Sequence, residues 1–159
     1  MSDLIPVMVT LATEKEAAAI QKVTVEAFLK YAKQAELPTI DALNEPIETI
    51  IHDIQTKLVF IAYIEDEIVG SVRIESFADG TAYLSRFGVL MGHQNAGIGK
   101  ELMDSVDEMM VQKGIHTLKL HTSSKVGSLV RFYYSRGFYI DEISKEKGYP
   151  RALFIKEYL

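Results

Sequence analysis

The hydrophobic period of this chain changes several times, and each change marks an element. Ile5 to Leu11 reads as a first strand. Thr13, with Glu16 three residues on, forms a capping-box start for a helix running to about Tyr31. Its inner stripe is Ala17, Ile20, Val23, Ala27 and Phe28. Leu37-Pro38-Thr39 breaks that pattern. A second helix, Glu45 to Thr56, carries Ile47, Ile50, Ile51 and Ile54 at helical spacing. Leu58 to Ile64 is then a near-continuous apolar run, as expected of a strand buried on both faces. Polar turns at Glu65-Asp66-Glu67 and Ala78-Asp79-Gly80 separate it from strands at Ile68–Phe77 and Ala82–Leu90, which predicts an antiparallel meander.

The helical period returns with Ile98, Leu102, Val106, Met109 and Met110 and stops at Lys113-Gly114, where glycine suits the residue after a helix. Ile115 to His121 is a fifth strand, Lys125 to Ser135 a further helix closed by Gly137, and Phe138–Ile143 and Ala152–Tyr158 the last strands. The order β-α-α-β-β-β-α-β-α-β-β predicts an α/β fold. It is a single domain over residues 1–159, with a mixed, mostly antiparallel sheet and helices on both faces. The crossover from 82 to 121 places its two strands parallel.

Composition adds bounds. A length of 159 residues suits one domain with a sizeable core. The chain has no cysteine, which excludes disulfides, thiolate metal sites and a cysteine nucleophile. The longest apolar run, Leu58 to Ile64, is too short to cross a membrane, so no membrane partner is expected. The N-terminus shows no basic region followed by an apolar stretch, and with the missing cysteines this gives a cytoplasmic expectation. The net charge of −5 speaks against nucleic acid as a partner. His52, His93 and His116 show no metal-ligand spacing, so no metal is expected.

The chemistry concentrates at Gln94-Asn95-Ala96-Gly97-Ile98-Gly99, between a strand and a helix. A small-residue turn opening a helix presents backbone N–H groups without intrahelical partners, and with the helix dipole these form an anion site. A Walker A loop is excluded, because Glu101 follows Gly99-Lys100 where a hydroxyl must bind magnesium and Gln94 replaces the first glycine. A dinucleotide fingerprint fails at Leu102, in the third glycine position. The pattern Q/R-x-x-G-x-G/A, the pyrophosphate loop of acetyl-CoA-dependent N-acetyltransferases, fits at every fixed position.

Two segments carry a resemblance that spans essentially the whole chain. Leu84 to Val89 followed by Gln94 to Leu102 resembles the acetyl-CoA motif of the GNAT superfamily. Phe132-Tyr133-Tyr134-Ser135-Arg136-Gly137-Phe138 is similar to that family's Y-x-x-x-G-F signature. The resemblance implies an acyl-CoA N-acyltransferase-like fold and acetyl transfer from acetyl-CoA to a primary amine of a small molecule or peptide. It also implies direct attack in a ternary complex. Gln94, Asn95, Ala96, Gly97, Ile98, Gly99 and Lys100 would hold the pyrophosphate. The strand backbone at Phe87, Gly88 and Val89 would pair with pantetheine, with Gly88 as the bulge residue and the Val89 N–H on the thioester carbonyl. Tyr133 would protonate the departing thiolate. Phe132 is a pantetheine contact or a core aromatic.

Val126 stands where many relatives carry a CoA-binding asparagine, so Ser128 or Arg131 is the candidate substitute. Ser85 stands where relatives often carry a glutamate base. Glu75, His121 or an ordered water is left as candidate base. The acceptor pocket is expected around residues 24 to 46, with Phe28 and Tyr31 on its wall and Ser85 beside it. A homodimer is an expectation from the family alone. A second class of function, a CoA-binding sensor without catalysis, fits the glycine loop equally well.

Overall fold

A computed structural model describes residues 6–38, 40–90, 92 and 97–159. Seven strands form one sheet: β1 (Val7–Leu11), β2 (Leu58–Ile64), β3 (Glu67–Ser76), β4 (Thr81–Val89), β5 (Thr117–Ser123), β6 (Tyr139–Ser144) and β7 (Arg151–Glu157). Their spatial order is β1-β2-β3-β4-β5-β7-β6, and β4–β5 is the parallel pair. Four α-helices accompany them: α1 (Ala17–Gln34), α2 (Ile47–Thr56), α3 (Ile98–Gln112) and α4 (Gly127–Ser135).

The helices divide between the faces as the side-chain alternation of the strands dictates. Gly70 of β3 lies under Ile98 and Leu102 of α3, whereas Gly88 of β4 lies under Ala27 of α1. On the α3 side Val72, Ile74, Leu84, Leu118 and Leu120 pack against Ile98, Leu102, Val106 and Met110 in the main core. On the other face Val59 and Ile61 of β2 meet Ile20 of α1 and Ile50 of α2.

Where boundaries differ from the sequence expectation, the backbone shows why. Thr13 and Glu16 do pair, with the Thr13 N–H donating to Glu16 Oε1 at 2.9 Å. The residues between them form a 3-10 turn, Glu14–Glu16, and α1 proper begins at Ala17. The fifth strand begins at Thr117, two residues later than expected, because Ile115 still belongs to the end of α3. The Ile115 N–H donates to Met110 O at 3.0 Å and the Gly114 N–H to Val111 O at 3.1 Å. With Gly114 at φ +70° this is a Schellman motif, and its apolar closing pair is Ile115 on Met110.

Candidate active site in the opening between β4 and β5

The parallel pair β4–β5 is short. It registers Thr81 with Thr117, Ala82 with Leu118 and Tyr83 with Lys119, and goes no further. A β-bulge accompanies the divergence. Ser71 of β3 faces Gly88 and Arg73 faces Ser85, so two steps on β3 oppose three on β4. The extra residue lies at Arg86–Phe87, and Arg86 takes a left-handed φ of +54°. The expectation that Gly88 is the bulge residue is therefore corrected: Gly88 stays in register. It is glycine for another reason, since a Cβ there would stand 2.8 Å from Ala27 Cβ.

The donor side of this opening is built from α3 and α4. Gly97 caps α3 at φ +77°, a left-handed conformation that favours glycine. The first helical bond is Glu101 N–H to Gly97 O at 3.0 Å, and among the described residues the preceding amides of Ile98, Gly99 and Lys100 have no intrahelical partner. Gly99 leaves room for two rings, since a Cβ there would lie 3.1 Å from Phe87 Cζ and 3.3 Å from Phe132 Cζ. Those rings stack at 5.4 Å. The Lys100 ammonium is exposed and salt-bridged to Asp104 at 2.9 Å. Gln94, Asn95 and Ala96 lie outside the described residues. On α4, Ser128 and Arg131 are exposed, and the Arg131 guanidinium folds over Gly127. Val126, just before α4, is buried.

Tyr133 occupies the joint between the two sides. Its ring meets Phe87, Phe132 and Phe138 edge-on at 6.1, 5.4 and 5.5 Å. The spacing of the aromatic signature has a mechanical origin. The Phe138 N–H donates to Tyr133 O at 3.0 Å and the Gly137 N–H to Tyr134 O at 3.1 Å, with Gly137 at φ +92°. Tyr133, Gly137 and Phe138 are thus the C3, C′ and C″ residues of a second Schellman motif, whose closing hydrophobic pair is Phe138 on Tyr133. Burial drives the Tyr133 phenol well above the ordinary tyrosine range, helped slightly by Tyr31. It holds its proton at any working pH. Tyr134, by contrast, is 52% exposed, with its ring edge-on to the buried Phe154 at 6.2 Å.

The opposite side of the opening carries Phe28 and Tyr31 of α1, packed edge-on at 5.7 Å. The Tyr31 hydroxyl accepts the Ser123 N–H at 2.9 Å, joining α1 to the end of β5. Two residues beyond the last β4–β5 pair, Ser85 on β4 and His121 on β5 lie by strand alternation on the face shared with Tyr83. His121 Nδ1 and the Tyr83 hydroxyl lie 2.7 Å apart. Burial lowers the His121 pKa from its ordinary 6.5, with Arg151 and Lys147 acting in the same direction and Glu142 against them. Glu75 lies elsewhere: it pairs across from Tyr83 on the far side of β4, is half exposed, and its carboxylate stands 3.9 Å from Lys57 Nζ.

Sequence reasoning missed the buried charges beneath this side. Arg73 is 1% exposed. Its two terminal nitrogens hold Glu45 at 2.7 and 2.8 Å, and one also holds Asp53 at 3.0 Å. Glu45 Oε2 is also 3.5 Å from Arg86 Nε. The cluster ties the segment before α2 to β3 and to the bulge residue. A signal was present in the chain, since Arg73 occupies an inward position between Val72 and Ile74, where an unpaired charge is prohibitive. Among the described residues no group of three His, Asp or Glu is placed to hold a metal, and no helix is long and apolar enough to cross a membrane.

A divergent parallel pair with a bulge on one strand, a glycine-capped helix on the donor side and a buried tyrosine at the joint are now in view. The acetyltransferase (GNAT) family profile matches residues 23–138, most of the chain and all of these features. The chain belongs to the GNAT family. The uncharacterized protein YyaT of Bacillus subtilis (strain 168) is 28% identical over 123 residues, covering 77% of this chain and 74% of that protein. Among solved structures, the PaiA N-acetyltransferase from Thermoplasma acidophilum in complex with coenzyme A superposes with a TM-score of 0.84 at 18% identity, covering 96% of this chain and 99% of that one. The ribosomal-protein-S18-alanine N-acetyltransferase from Escherichia coli gives 0.77 at 14% identity, covering 96% and 94%. At these identities the two structures establish the GNAT fold, and the family profile establishes general acyltransferase character.

Proposed function

We propose that this GNAT protein transfers the acetyl group of acetyl-CoA to a primary amine of a small molecule or peptide, inside the opening between β4 and β5. The observation that carries the reading is the opening itself. Among the described residues β4 pairs with β5 only as far as Tyr83, and the β4 edge from Leu84 to Gly88 runs between Tyr133 and the His121–Tyr83 pair. The donor-side residues fit CoA. The first-turn amides of α3 suit its pyrophosphate, and the edge at Phe87, Gly88 and Val89 suits pantetheine as an added strand. The coenzyme A in the Thermoplasma relative supports the same assignment. Ser128 and Arg131 of α4, together with Lys100 of α3, are the polar and cationic groups for its phosphates.

Acetyl-CoA supplies the activated acyl carbon, and the chain's residues handle the protons. His121, neutral near pH 7, takes the amine proton at Nε2, while its Nδ1–H donates to the Tyr83 hydroxyl. The amine nitrogen bonds to the thioester carbon and the carbon–sulfur bond breaks. The thiolate leaves toward Tyr133, which gives up its phenolic proton. His121 is preferred to Glu75 because it faces the opening, whereas Glu75 is engaged by Lys57 on the other side of β4. The His121–Tyr83 pair also speaks for an active enzyme over a silent sensor.

Calorimetric titration with acetyl-CoA tests the site. Wild type is expected to bind, and Gly97→Glu to lose binding, since it adds bulk and negative charge at the turn. Equal affinity in the two proteins overturns the donor-side assignment.

A further inference from the structure

The chain has five arginines, and their partners divide them. Arg73 and Arg86 are matched to Glu45, and Arg136 is held by Asp104 at 3.3 Å. Arg131 and Arg151 have no carboxylate at salt-bridge distance among the described residues. These two stand on opposite sides of the opening, Arg131 on the donor helix α4 and Arg151 at the start of β7. Arg131 is accounted for by the CoA phosphates. Arg151 is on the wrong side for them.

The surroundings of Arg151 are specific. It is half-buried in a depression with His121, Glu142, Ser144, Glu146, Lys147 and Leu153. Tyr83 and Tyr149 flank its guanidinium, and Tyr149 in turn neighbours Tyr31. In the β5–β7 register Arg151 pairs with Ser123, and His121 pairs with Leu153. Arg151 and His121 are therefore diagonal neighbours on one face, about 7–8 Å apart at the backbone. A ligand whose amine meets His121 thus has its neighbouring atoms within reach of the guanidinium fork.

We propose that the acceptor is an α-amino acid, with Arg151 holding its carboxylate while its amine faces His121. This rests on the acetyl-transfer reading of the opening and names its substrate class. The planar fork suits a carboxylate by two parallel hydrogen bonds. Glu142 and Glu146 in the same depression oppose a phosphate dianion and suit the ammonium of an incoming zwitterion. One tetrahedral carbon separates amine from carboxylate in such a ligand, matching the adjacency of His121 and Arg151.

The test is a binding measurement that does not need turnover. N-acetyl-α-amino acids and their matching carboxamides are titrated into the protein, with and without CoA, following the Arg151 Nε–H resonance by NMR. At least one acid is expected to bind about tenfold more tightly than its amide and to shift that resonance. Arg151→Met should erase the preference and Arg151→Lys keep part of it, with thermal unfolding confirming that both variants fold. Equal binding of every acid and its amide, or a preference that survives Arg151→Met, overturns the proposal. Failure of acetyl-CoA to bind or react would sink the transferase reading instead, and shows in separate experiments.

Discussion

Three glycines near the site are glycine for three different reasons. Gly97 needs a left-handed φ to open α3, Gly88 makes room for Ala27, and Gly99 makes room for the Phe87–Phe132 stack. The sequence motif exposes the first and third as a pair but does not distinguish their tasks. Gly88→Val should destabilise the fold by about 1–3 kcal/mol in chemical denaturation, as an overpacked contact does. An unchanged midpoint would mean that α1 yields at Ala27. The spacing of Tyr133 to Gly137-Phe138 was legible in the sequence, and the Schellman geometry explains that spacing. Tyr133→Phe should lower kcat by about 10²-fold, with acetyl-CoA affinity unchanged by calorimetry. Undiminished kcat would return Tyr133 to a packing role. His121 was visible only as an isolated histidine, because its partner Tyr83 is 38 residues away in sequence. Its lowered pKa fixes the sign of a pH effect. The base is free above a value below the ordinary 6.5, so kcat/KM should climb with pH through that region and level off near neutrality. Burial is the main cause of the lowering, with Arg151 and Lys147 acting in the same direction and Glu142 against them, and the Tyr83 hydroxyl faces the ring at 2.7 Å. His121→Gln should remove that limb of the profile, and an identical profile in the variant would exclude His121 as the base.

At the scale of elements, period and caps gave the strand and helix order, including the two glycine-closed helices. Boundaries moved where capping geometry, invisible to periodicity, absorbed residues: the 3-10 turn before α1 and the Ile115 closure after α3. The buried Arg73–Glu45–Asp53 cluster was not legible, because it joins three elements whose packing the pattern does not specify. It makes a sharp prediction. Glu45→Ala leaves the buried Arg73 with Asp53 as its one carboxylate partner, takes the carboxylate from Arg86, and should cost about 3–5 kcal/mol in denaturant unfolding. The apolar double variant Arg73→Met with Glu45→Leu should recover much of that loss. If Glu45→Ala alone is neutral, the cluster does not anchor the segment before α2.

For the whole molecule, the parallel placement of β4 and β5 followed from the crossover rule, and the mixed sheet with helices on both faces followed from the element order. The separation of these strands after only three residue pairs did not. An extra β4 residue at Arg86–Phe87 accompanies it, and nothing in the alternation of that strand announces it. In the proposed function that separation is where acetyl-CoA and the acceptor amine meet. The most direct test of this account is thiol release from acetyl-CoA by the purified protein across a panel of primary amines. The account predicts release that depends on both protein and amine, with the N-acetylated amine formed in equal amount. Release no faster than the protein-free rate with every amine, in protein that binds acetyl-CoA, would contradict it.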